Sequence, residues 1–147
     1  MKRLSILFLA YTLIINTSCN LKKEGSKTSN EELDLTSNTW VLDSWSKNDE
    51  SYAFKTMESI QLTFVDSSKS INGNNGCNNF FASYSTDQNS LSVKAAGGTK
   101  KYCGEESSKD EQNFMDFLQS IPTYKIQSDQ LLLETNTEKL LFNNQIK

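Results

Sequence analysis

Between Ile60 and Phe64 apolar and polar side chains alternate without interruption, with Ile60, Leu62 and Phe64 on one face and Gln61 and Thr63 on the other. Extended chain repeats every two residues, so this run specifies a strand with one buried face. Shorter segments repeat the signal. Residues 39–42 read as a first strand, with Trp40 and Leu42 on one face, and residues 70–72 as another. Residues 77–84 and 91–93 read as extended chain on either side of a turn at Asp87-Gln88-Asn89. The stretch Gly73-Asn74-Asn75-Gly76-Cys77-Asn78 is rich in residues that tolerate positive φ, so it reads as a tight turn between strands. Ala95-Ala96-Gly97-Gly98 reads as a break before Thr99.

One segment has a different period. Phe114, Phe117, Leu118 and Ile121 recur at helical spacing, and Pro122 stops the run. Ser108 and Glu111 have the spacing of a capping box, and Asp110 and Glu111 suit the positive first turn. Strands at 123–126, 130–134 and 139–142 follow, with Asn136 in a turn between the last two. The expected fold class is therefore α+β, a curled mixed or antiparallel sheet packed around one principal α-helix.

The corner Gly73–Asn78, the segment Thr99-Lys100-Lys101-Tyr102-Cys103 and the run from Glu111 to Leu118 stand in an order that resembles the META domain. That family, which includes HslJ-type heat-inducible bacterial proteins, carries a Gly-Cys-Asn turn, a Thr-x-x-x-Cys segment and a Glu-x-x-Phe-x-x-x-Leu helix. The residues here that match these motifs are Gly73, Gly76, Cys77, Asn78, Thr99, Cys103, Glu111, Phe114 and Leu118. The resemblance covers roughly residues 39–142. It implies heat induction and effects on antibiotic tolerance, with no established reaction.

The first residues carry an address. Lys2 and Arg3 precede an apolar run at 4–15 that is too short to span a bilayer as a helix, which reads as an export signal. Asn16-Thr17-Ser18-Cys19 puts small residues before a cysteine and resembles the bacterial lipobox, so residues 1–18 are expected to be removed and Cys19 lipidated. Two or more acyl chains anchor a protein stably. Residues 19–38 then read as a polar tether and residues 39–147 as the folded domain. Asn20 after the anchor favours the outer membrane facing the periplasm, with surface exposure the other reading.

Once Cys19 is lipidated, Cys77 and Cys103 are the remaining pair, and an oxidising compartment favours their union. The bond would contribute roughly 3.5 kcal/mol on the chain-entropy account. Two neighbouring free thiols and a redox pair are the other readings.

Composition narrows the chemistry. Histidine is absent and Arg3 is the only arginine. Histidine bases, most zinc sites and bidentate arginine clamps are thereby excluded from the mature chain. Removing Lys2 and Arg3 leaves 13 basic against 18 acidic residues, a net charge of −5, with no basic nucleic-acid footprint. The asparagines of the corner suit the turn better than a pocket. Glu105, Glu106, Asp110 and Glu111 read as a charged helix start and not a cation site. Trp40, Trp45, Phe80, Phe81 and Tyr84 read as core. The chain is therefore expected to be a monomeric, non-enzymatic envelope lipoprotein with no cofactor and no metal. Its partners would be the membrane, through Cys19, and an unidentified envelope protein, or alternatively a small ligand or lipid.

Overall fold

The computed structural model describes residues 34–36, 38–56 and 58–145. Its strands are β1 (Thr39–Lys47), β2 (Glu50–Ser51), β3 (Gln61–Val65), β4 (Ser70–Asn74), β5 (Asn79–Asp87), β6 (Ser90–Gly98), β7 (Thr123–Gln127), β8 (Gln130–Glu134) and β9 (Glu138–Gln145), with the helix α1 (Glu105–Gln119) between β6 and β7. The expected signal, anchor and most of the tether lie outside the described residues.

Every neighbouring pair is antiparallel, and β1 pairs with β3 on one side and β9 on the other. Eight strands therefore close into a barrel, and β2 only extends β1 by a short hairpin. This corrects the expected α+β sheet on a helix. The physical reason is the β1–β9 ladder, which runs from Thr39↔Gln145 to Lys47↔Glu138 with one irregularity between Leu42 and Ser44. It satisfies the backbone of both strands that would otherwise be edges. The strands also outrun their expected limits. β1 continues to Lys47, and β6 passes straight through Gly97 and Gly98, which pair with Phe81 and Phe80.

Side chains that alternate inward fill the barrel. Trp40, Leu62, Ile71, Leu91, Leu131, Leu133, Leu140 and Phe142 are completely buried. One row of the register, Trp40↔Leu62↔Gly73↔Phe80↔Gly98, sets a large ring between two glycines. A Cβ on Gly73 would lie 2.8 Å from the Phe80 ring and 2.1 Å from the Gln61 carbonyl oxygen, so only glycine fits there.

β6 and β7 share a single residue pair, Ser90↔Thr123. The helix compensates at the end of the barrel where β1 finishes and β5 begins. Phe114 meets Trp45 and Phe80 edge-on at centroid distances of 6.4 and 6.2 Å, while Phe117 and Leu118 are buried beside it. Two expectations about the helix are corrected. It starts at Glu105 behind Gly104, whose φ of 90° suits glycine, and no side chain caps it. Ser108 is therefore already inside the first turn, its N–H bonded to the Gly104 carbonyl, and the capping box does not form. Ile121 is not on the buried stripe. The helix has ended at Gln119, and Ile121 is 56% exposed with φ 59°.

Candidate functional site

The β4–β5 corner packs its asparagines inward. Asn75 and Asn78 are buried, and their side chains first complete the turn itself. Asn75 Oδ1 accepts the backbone N–H of Asn78 at 2.8 Å, and Asn74 Oδ1 accepts that of Gly76 at 2.7 Å. Gly76 has φ 97°, and a Cβ there would meet Thr56 at 2.3 Å. The sequence folds this way because short amides can replace missing backbone partners within one turn.

The remaining amide groups reach across to two other segments. Asn78 Oδ1 accepts from Lys101 N and from Thr99 Oγ1, both at 2.7 Å, and Asn78 Nδ2 donates to the Lys101 carbonyl at 3.2 Å. This side chain thus pairs with the backbone of Lys101 as a neighbouring strand would. Cys77 and Cys103 form a disulfide a few residues away, with Cα atoms 6.0 Å apart. From the helix, Glu111 accepts Asn75 Nδ2 at 2.9 Å and Asn78 Nδ2 at 3.2 and 3.1 Å.

The next carboxylate, Asp110, is buried and faces the crossing segment that follows β2. It accepts the Tyr52 hydroxyl and the Lys55 backbone N–H, the latter at 2.6 Å. That bond, together with burial, pushes the Tyr52 phenol above its ordinary pKa. At the solvent edge Glu58 accepts Asn74 Nδ2 at 2.5 Å and Lys101 Nζ at 2.8 Å, and the lysine holds its carboxyl below the usual range.

Gly76, Cys77, Asn78, Thr99, Cys103 and Glu111 therefore converge in one hydrogen-bonded knot. Gly73, Phe114 and Leu118 are set apart from it, in the core against Phe80 and the barrel interior. Sequence reasoning missed the parts played by Tyr52, Glu58, Asn75 and Asp110, because each depends on a partner far along the chain. Trp40, Trp45, Phe80 and Tyr84 are buried, whereas Phe81 is 60% exposed with its ring over Gly97. Glu106 pairs with Lys55 at 3.1 Å, and among the described residues no three acidic or cysteine side chains converge as metal ligands would. Chemically the knot is a brace: its carboxylates and amides are engaged with one another, and it ties the helix and the 99–103 segment to the corner.

Solved structures with the same fold include a protein from Burkholderia xenovorans, with a TM-score of 0.65 and 23% identity over 77% of this chain and 85% of that one. A DUF4847 family protein from Bacteroides vulgatus ATCC 8482 gives a TM-score of 0.57 and 14% identity over 77% and 96%. These likenesses concern the fold alone. No curated protein is significantly similar to the chain. The family model described as META domain matches residues 33–146, a span that holds the whole barrel, its helix and the knot. The chain belongs to the META domain family.

Proposed function

We propose that the domain is a non-enzymatic, lipid-anchored module of the bacterial cell envelope that works by binding, presenting a rigid barrel surface to an envelope protein. The observation that carries this reading is the saturation of the motif residues. The motif residues Asn78, Thr99 and Glu111, with their neighbours Asn75 and Lys101, take up one another's hydrogen-bonding capacity and hold the helix in place, so these motif residues stabilise a shape. The absence of histidine points the same way. The anchor rests on the sequence around Cys19.

Cross-linking of the protein in its native envelope, with wild type and Cys19→Ser compared, tests the reading. The expected result is a defined chain captured by the wild type and lost with Cys19→Ser, alongside loss of partitioning into detergent. Equal partitioning of the two proteins would remove the anchor, and turnover of an envelope substrate by the wild type would remove the non-enzymatic role. A second reading, binding of a small ligand, is favoured by the open end of the barrel opposite the helix.

A further inference from the structure

At the end of the barrel away from the helix, the β3–β4 turn, the inner faces of β5 and β7 and the segment around Leu35 surround a depression of about 570 Å³. The Trp40 indole N–H donates to the Leu35 carbonyl at 2.9 Å and fixes that segment across the opening. Leu35 and Ile126 give the depression an apolar floor, and Tyr84 and Tyr124 give it phenolic walls. Tyr84 is only 7% exposed, yet its hydroxyl has no hydrogen-bond partner among the described residues. Its ring is held edge-on against Phe64 at 5.2 Å, and the residue lines the depression. The hydroxyl is not among the fully buried polar atoms without a partner, so it is reachable and can donate to or accept from a bound group.

The charges at the rim say what kind of partner fits. Asp34 and Asp66 are acidic, and among the described residues that line it Lys69 is the one cation. Lys69 Nζ pairs with Asp66 and lies 5.8 Å from the centre of the Tyr84 ring. The protein thus lodges an ammonium of its own between a carboxylate and an aromatic face, the arrangement that recognises organic cations. That lysine side chain is mostly exposed and its ion pair is weak, so an incoming ligand can displace it.

We propose that the barrel mouth binds small primary alkylammonium groups. The cation would take the position between Asp66 and Tyr84 now held by Lys69, and the alkyl part would cover Leu35 and Ile126. This inference deepens the small-ligand reading and is independent of the anchor and of any protein partner.

Titration of the full ¹⁵N-labelled chain at constant ionic strength with n-butylammonium, n-butanol and butyrate tests it, with amide shifts near Asp66, Tyr84 and Tyr124 as readout. Nα-acetyl-lysine methylamide, run alongside, distinguishes a free amine from a peptide lysine as the source of the same group. Butylammonium is expected to bind at the mouth in preference to the other two. Lys69→Gln should tighten it by up to about fivefold by removing the internal competitor, and Asp66→Asn should weaken it by a similar factor. Tyr84→Phe, which keeps the ring, should weaken it by a smaller factor. Equal binding of butanol, or no gain in Lys69→Gln, overturns the cation assignment and leaves the small-ligand reading standing. Absence of mouth shifts with every probe overturns both.

Discussion

Asn78 donates its side-chain amide to both carboxylate oxygens of Glu111, at 3.2 and 3.1 Å, and so joins a turn between two strands to the middle of the helix. The same amide faces the Lys101 backbone, so three segments far apart in the chain meet on one side chain. Hydrogen bonds to a charged group are worth roughly 1.5–3 kcal/mol each way. Asn78→Ala and Glu111→Ala should each destabilise by about that amount, and the double mutant by clearly less than the sum. Additive losses in urea denaturation would show that the two residues act separately.

The disulfide closes the same knot from the other side. Cys77→Ser, Cys103→Ser and the double mutant should lose similar stability, roughly 3.5 kcal/mol, because any of the three opens one loop. A double mutant markedly worse than either single would mean that the sulfurs contribute as separate buried groups.

Two glycines with positive φ separate backbone strain from packing. Gly104→Ala meets nothing within 4 Å and should cost only the backbone penalty, about 1–3 kcal/mol. Gly76→Ala carries a comparable penalty and also drives a methyl into Thr56, adding about 1–3 kcal/mol. Thermal unfolding of the pair should rank Gly76→Ala well below Gly104→Ala.

Along the helix the losses should follow burial. Phe114→Ala or Leu118→Ala should cost about 2–5 kcal/mol through a cavity, and Gln112→Ala less than about 0.5 kcal/mol. Ile121→Gly should stabilise by about 0.5–1 kcal/mol, since a β-branched residue at φ 59° is strained and this one buries little. A destabilised Ile121→Gly would show that the side chain packs more than its exposure indicates.

Tyr52 makes an alkaline signature. Its folded pKa is raised above the ordinary value near 10, chiefly by the bond to Asp110, because ionising it would set two negative groups together. A raised phenol contributes stability that is complete below the unfolded pKa and is lost as pH rises through the folded one. Wild type should therefore lose stability above about pH 10 more steeply than Tyr52→Phe, which should already be weaker at pH 7. Parallel pH profiles for the two proteins would rule this out.

Much of the strand content was legible, because alternation such as that from Ile60 to Phe64 is local. Closure was not. Trp40 and Phe142 show a buried face in the sequence, but nothing local tells that β1 and β9 pair with each other instead of ending a sheet. Gly97 and Gly98 misled for a related reason: glycine usually interrupts a strand, whereas here it makes room beside Phe80 and Phe81. In the knot, the corner and the helix are visible as motifs, but the local spacing of Glu111 points to Ser108 three residues away, whereas its partners are Asn75 and Asn78 more than thirty residues away. The address expected at Cys19 lies outside the described residues.

The pairing of β1 with β9 also sets the order of events during synthesis. The first strand of the barrel finds one of its three partners in the last, so Trp45 cannot be sealed against Leu140 until almost the whole barrel has emerged. Loop-closure entropy over that distance slows the final step relative to the local hairpins. A nascent chain stalled before Glu138 should therefore carry an unsealed barrel with its tryptophans accessible, a form that chaperones can hold and proteases can cut.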